Sequence, residues 1–387
     1  MGNESIEDFL REWDREELED ARSRAAVKKS NDNARGTIKT DTSEINPLEL
    51  LAHYSITEEV DRLRQQMLED KFVLKNIAIM GQWTVIFGAP NSGKTLITNW
   101  LLRESIMSGD IDGKMVFYCN ADDTHPGLVQ KTELARAWGM RVLAPHQRGF
   151  TTQQMLDLMI NMAEGHHANG VVLILDTLKK FTDLMDKKLA SQFGVTARGF
   201  VSAGGTLIAL AHTNKHVGAD GKRIPSGTSD IVDDCDCAFI IDEISKNEMN
   251  EETTHTVEFT NIKSRGDVSS KVGFSYKKTI GQPYHDLLST VKPINRKHLD
   301  NVREQAQAQS ALDDDASVIE TVCQLIEGGT VTKDKIIKCA HDLTGESISR
   351  VRNVLEHRAG VEYARGHRWS VSKGANNRYI YAVLPTP

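Results

Sequence analysis

Between residues 46 and 300, short runs of β-branched and other apolar residues alternate with longer stretches whose apolar positions recur at helical spacing. That alternation predicts an α/β domain built on a mainly parallel sheet. The clearest strand candidates are TVIFG (84–88), KMVFYCN (114–120), VVLILDT (171–177), GTLIALAH (205–212), CAFIIDE (237–243) and TVEFTNIK (256–263). Ahead of this domain, residues 5–25 place Ile6, Phe9, Leu10 and Trp13 on one helical stripe, and polar linker sequence runs on to residue 45. A helix this isolated cannot bury its stripe on itself, so it docks on a partner or a neighbouring subunit, or it frays. A stretch poor in aromatic and β-branched residues, 301–316, reads as a linker with some helical character and marks a domain boundary. Residues 317–387 then give three short helices: ASVIETVCQLIE, a second capped by Thr332, and a third started by Ser347 or Ser349. Two strands around GHRWSV and NRYIYAVL follow, joined by the turn-rich SKGANN.

Length and charge narrow the picture. A chain of 387 residues exceeds one typical core, so two or three modules are expected. The acidic start is no signal peptide, and no apolar run reaches the roughly 18 residues of a membrane helix. Cys119, Cys235, Cys237, Cys323 and Cys339 lack zinc-ligand spacing. A reduced, cytoplasmic protein with free buried thiols is the expectation. The net charge of −7 opposes bulk attraction to nucleic acid, but its distribution is uneven. The first twenty residues carry nine acids against two bases, and residues 345–387 carry three acids against seven bases. A basic C-terminal surface on an acidic protein is what a local DNA contact needs.

The chemistry concentrates in GAPNSGKT, residues 88–95, which matches G-x-x-x-x-G-K-[ST] between a strand and a helix. Gly88 and Gly93 let the backbone of Ala89, Pro90, Asn91 and Ser92 curl so that N–H groups face phosphates. The dipole of the helix that Lys94, Thr95 and Leu96 begin favours the same charge. Lys94 is expected at the β- and γ-phosphates of ATP, and the Thr95 hydroxyl on Mg²⁺. The buried run VVLILDT delivers Asp176 at the carboxyl edge of the sheet, where it would hold Mg²⁺ opposite Thr95.

With these motifs in place, residues 46–295 resemble the RepA-type branch of hexameric RecA-like ATPases, which are related to DnaB-type replicative helicases. The resemblance implies a RecA-like P-loop fold and a general base just past the strand ending at Asn120. Asp122 stands at that spacing with Asp123 beside it, and Asp122 also suits a helix cap. AHTNKH is similar to the family's sensor block, which implies that His212 reads the γ-phosphate. The following loop would face a central channel, making Lys215, Lys222 and Arg223 candidate contacts to single-stranded DNA, although a solvated loop accounts for them equally. NIKSRGD implies that Lys263 and Arg265 project into a neighbour's site as an arginine finger.

The C-terminal segment resembles the winged-helix tails of RepA-like ATPases, which implies DNA contacts by Arg350 and Arg352 on the third helix and Lys373 in the wing. The function so implied is a ring-forming, DNA-dependent ATPase, a helicase or single-stranded DNA translocase, with double-stranded DNA engaged by the tail. Two other readings stand beside it: an ATP-switched regulator that does not separate strands, and a DNA-binding adaptor with a weakly hydrolysing site.

Overall fold

A computed structural model of the chain describes residues 46–61, 71–217, 223–227, 229–249, 251–330, 332–374 and 379–386. The stripe helix read at 5–25 and Lys222 lie outside the described residues. Two units are distinguished, 1–67 and 68–387. In the first unit, α1 covers Pro47–His53 and a 3-10 turn covers Thr57–Glu59.

The second unit opens with an antiparallel pair, β1 (Phe72–Leu74) and β2 (Ala78–Ile79). It then builds a large sheet from β3 (Trp83–Gly88), β4 (Val116–Asn120), β5 (Arg141–Leu143), β6 (Val172–Asp176), β7 (Thr206–Val217), β8 (Arg223–Pro225), β9 (Cys237–Met249), β10 (Glu252–Lys263), β11 (Lys271–Thr279) and β12 (Lys292–Ile294). The order is β12-β11-β10-β9-β3-β7-β6-β4-β5, with β8 on β7. Strands β9, β3, β7, β6, β4 and β5 pair in parallel, and β10, β11 and β12 extend the sheet antiparallel.

Helices cover both faces, so the central strands are apolar throughout and sort their side chains by period two. Trp83, Val85 and Phe87 of β3, with Leu173 and Leu175 of β6, join one core with Met155, Met159, Phe193 and Phe200. These last come from α4 (Thr152–Glu164) and α5 (Lys187–Ser202). Ile86 of β3, with Val172 and Ile174 of β6, faces the other core with Leu96, Ile97, Leu101 and Leu102 of α2 (Lys94–Met107) and Ala135 of α3 (His125–Ala137). By the same alternation, Asp176 falls on the α2 face. That is the fact the site depends on.

Past β9's short preceding helix α6 (Asp230–Asp234) and α7 (Tyr284–Ser289), the stretch read as a linker is helix. It belongs to α8 (Arg296–Asp314), capped by Asn295, whose side chain accepts from the His298 N–H at 2.9 Å. Its Ala, Gln, Glu and Arg residues bury little but are strong helix formers, and that propensity outweighs the lack of an apolar stripe. Arg303 in α8 also pairs with buried Glu258 of β10. Helices α9 (Ala316–Glu327), α10 (Lys333–Thr344) and α11 (Ile348–His357) follow, then the antiparallel pair β13 (Trp369–Lys373) and β14 (Tyr379–Val383). They close a core of their own around Val322, Ile336, Val351, Leu355 and Trp369. The Trp369 indole N–H donates to the Leu355 carbonyl at 2.9 Å, which allows complete burial of the ring.

Candidate active site

Strand β3 is buried along its length and delivers Gly88 at the carboxyl edge of the parallel strands. The chain turns through Ala89, Pro90, Asn91 and Ser92 before α2 begins at Lys94. Space and backbone dictate both glycines. A Cβ at Gly88 would lie 2.3 Å from Ile241 Cγ2. Gly93 adopts φ +85°, and a Cβ there would lie 3.0 Å from the Tyr276 ring. The N–H groups of the first turn of α2 lack intrahelical partners, and Ser92 Oγ is buried without a hydrogen-bond partner.

Lys94 is 7% exposed and folds back on the turn, donating from Nζ to Gly88 O at 3.0 Å and Ala89 O at 2.9 Å. Burial lowers its pKa to about 8, against the opposing pull of Asp176 and Asp122. The neighbouring Thr95 hydroxyl donates to Asp176 Oδ2 at 2.8 Å, and the Tyr118 hydroxyl donates to the same oxygen. Burial, then the Asp176 charge, push the Tyr118 phenol well above its ordinary pKa, so it stays a donor.

Two carboxylates follow β4 and differ in their partners. Asp123 Oδ2 accepts from Asn120 Nδ2 at 2.7 Å and from Lys131 at 2.5 Å, so its charge is compensated locally. Asp122 is 44% exposed, with Lys180 and Lys179 at 3.9 and 4.0 Å. Its charge is felt by both Lys94 and His212. Asp123 lines the cleft beside the loop, and Asp122 acts on the loop lysine through its charge. His212 stands opposite Gly88 in the β3–β7 register. Burial, then Lys94 and Lys179, lower its pKa below the ordinary 6.5, so the ring is mainly neutral at pH 7. Its Nδ1 is buried without a partner.

A cleft of about 440 Å³ opens beside the loop, between Asn91–Leu96 on one wall and Tyr276, Lys278, Gln282 and Tyr284 on the other. Sequence reading missed this second wall. Tyr276 belongs to β11, a strand whose alternation is blurred by Lys271, Lys277 and Lys278. Tyr276 is stacked by His255 at 4.7 Å and packs on Gly93. The Tyr284 hydroxyl accepts from Asn99 Nδ2 at 3.0 Å, tying α7 to α2. Nothing in local sequence pattern signals these partners.

No protein-family model matches the chain, and no curated protein matches it. The site therefore stands on its own geometry.

The other residues singled out from sequence lie elsewhere. Lys263 pairs in register with Ala238, which pairs with Val85, and Arg265 lies beyond it. Lys263 is thus level with Val85, about 10 Å along the sheet from Gly88 at 3.3 Å per residue, and Arg265 lies further still from the loop. Neither reaches the loop of its own chain. Lys263 Nζ donates to Val232 O at 2.7 Å and to Asp233 O, closing the end of α6. Arg223 is paired with Asp242 at 2.7 Å, and Lys215 contributes backbone to β7. In the C-terminal module Arg352 and Lys373 are exposed. Arg350 Nη2 instead donates to Asp314 O at 2.9 Å, and Asp315 accepts from it at 3.4 Å. Arg358 reaches the same carboxylate at 2.7 Å.

Among the described residues, no helix is long and apolar enough to cross a membrane. No group of three or more His, Cys, Asp or Glu side chains forms a metal cage among them.

Proposed function

We propose that the protein is a RecA-like P-loop ATPase that assembles with copies of itself, as a hexameric ring, and acts on DNA as a helicase or single-stranded DNA translocase in replication or recombination. The observation that carries the reading is the meeting of Lys94, Thr95 and Asp176 at the carboxyl edge of the sheet, beneath a turn in which a Cβ at Gly88 or Gly93 is crowded or strained.

These residues fit a magnesium nucleotide. Mg²⁺ keeps most of its waters and takes only one or two protein oxygens besides phosphate, so the adjacent Thr95 hydroxyl and Asp176 carboxylate are a sufficient donor set. When bound, the ion neutralises charge on the transferring phosphoryl group. Lys94 would exchange the Gly88 and Ala89 carbonyls for phosphate oxygens, a stronger partner for a buried cation. Asp122 would orient the attacking water and accept its proton. His212, neutral and beside Gly88, is suited to sense the γ-phosphate by hydrogen bonding rather than by charge. Arg265, remote from its own loop, would serve a neighbouring subunit. The three-helix module with its strand pair suits a winged helix, and its exposed Arg352 and Lys373 suit DNA phosphates.

One observation favours a second reading, an ATP-switched regulator or adaptor. Asp122 is a short carboxylate held between Lys179 and Lys180, which suits slow hydrolysis. ATP hydrolysis with and without single-stranded DNA separates the two, with wild type compared against Lys94→Ala and Arg265→Ala. Strong stimulation lost in both variants supports the motor. Slow turnover that ignores DNA and survives Arg265→Ala rejects it in favour of the switch.

A further inference from the structure

At the amino edge of the sheet one carboxylate gathers three donors. Asp236 is 6% exposed, and its Oδ2 accepts from the Trp83 backbone N–H at 2.9 Å. Arg198 of α5 spans both carboxylate oxygens from Nη1, at 2.9 and 3.0 Å, and donates from Nη2 to the Asp234 carbonyl. Arg265 reaches Oδ1 from Nη1 at 3.3 Å, with 53% of its side chain still exposed.

We propose that Asp236 is a positioning residue for Arg265, presenting its guanidinium at this edge for the nucleotide site of an adjacent subunit. The proposal rests on the ATPase reading above. The Trp83 N–H pins the carboxylate to the first residue of the buried strand β3, so the reference point is the sheet itself. Arg198 occupies the carboxylate on both oxygens and balances its charge. Arg265 is left with a single long contact. Such a contact restricts the rotamers of a strand-end arginine and yields readily to a phosphate oxygen, which offers shorter, charge-assisted bonds. Lys263 is not equivalent, because its ammonium is committed to the Val232 and Asp233 carbonyls. Displacement of a reacting group by about 1 Å costs on the order of 10²-fold in rate, so loss of the support should be visible in turnover.

The test is subunit mixing with the full-length chain. Asp236→Asn should lower DNA-stimulated ATP turnover about tenfold or more while nucleotide affinity holds. Asp236→Glu keeps the charge, so it guards against a folding defect while shifting the carboxylate by a methylene; it should show the same pattern with a smaller loss. Either variant mixed with Lys94→Ala should regain activity, because one supplies an intact loop and the other an intact arginine. Mixed with Arg265→Ala, neither should recover. The reverse pattern, recovery with Arg265→Ala and none with Lys94→Ala, would overturn the proposal, since Asp236 would then be supporting its own chain's β3 and loop. Full activity of both Asp236 variants beside an inactive Arg265→Ala overturns it too. Full activity of Arg265→Ala itself removes the neighbour-acting arginine and this proposal with it, while Lys94→Ala still reports separately on the nucleotide site.

Discussion

The Thr95 hydroxyl and the Asp176 carboxylate meet at 2.8 Å, although 81 positions separate them in sequence. Strand β7 lies between β3 and β6, so the contact is made across a strand rather than between neighbours. It arises because α2 leaves β3 and crosses over β7 and β6 to reach β4, bringing its first turn over the end of β6. Asp176 meets it because residues 172, 174 and 176 of β6 share the α2 face.

Asp176 also accepts from the buried Tyr118 hydroxyl, and losing that donor should be costly. Tyr118→Phe is expected to lower stability by about 1.5–3 kcal/mol, the range for a hydrogen bond to a charged group. Urea unfolding, with an unchanged denaturant slope, measures it.

If Lys94 holds phosphate as proposed, its pKa of about 8 should make phosphate affinity depend on pH. Below that value the ammonium is charged and attracts phosphate; above it the free protein loses the charge, and binding must take up a proton. ADP affinity should therefore fall as pH rises from 7.5 to 9.5, by up to about one logarithmic unit per pH unit. Titration of a fluorescent ADP analogue reads the slope, and Lys94→Ala should flatten it.

Gly93→Ala meets two penalties, a left-handed backbone and the ring of Tyr276 at 3.0 Å. The backbone alone costs about 1–2 kcal/mol. Nucleotide affinity should fall more than stability does, because the loop rather than the core must shift. Calorimetric binding beside a thermal melt distinguishes the two.

Asp122 and Asp123 should separate by role. Asp122→Asn is expected to lower turnover on the order of 10²-fold or more with little change in nucleotide affinity. Asp123→Asn loses its charge match with Lys131 and should chiefly affect the cleft wall, raising KM. Steady-state kinetics of both variants decides the assignment.

The arginines of the C-terminal module should divide as well. Arg352→Ala and Lys373→Ala should each reduce the salt dependence of DNA binding by about one unit of logarithmic slope. Arg350→Ala should instead lower the melting temperature, because its guanidinium is held by Asp314 and Asp315. Fluorescence anisotropy across salt concentrations, paired with melting curves, tests both.

Much of the architecture is legible along the chain. The strands around 84–88, 116–120, 172–176, 206–212 and 237–241 are largely apolar runs because helices cover both sheet faces, and such runs need no partner to be recognised; 256–263 is legible instead by its β-branched and aromatic residues. The Gly88–Thr95 turn announces itself because its glycines, lysine and threonine sit at fixed spacing within eight consecutive positions. The three C-terminal helices carry their own apolar stripes; the third is capped by Ser347, which accepts from the Arg350 N–H at 3.2 Å, whereas the Thr332 side chain makes no cap hydrogen bond.

What sequence leaves undecided is whatever depends on residues brought together from afar. Tyr276 is one lysine-flanked tyrosine until β11 pairs with β10 and sets its ring on Gly93. Arg350 reads as a DNA contact on the third helix until Asp315, just past the end of α8, pairs with it and with Arg358. Asp122 and Asp123 are indistinguishable as neighbours until Lys131 on the next helix compensates one of them. Periodicity and backbone geometry are local and survive in the order of residues. Charge compensation and cleft walls depend on separations of a few ångströms, and only the folded chain sets those distances.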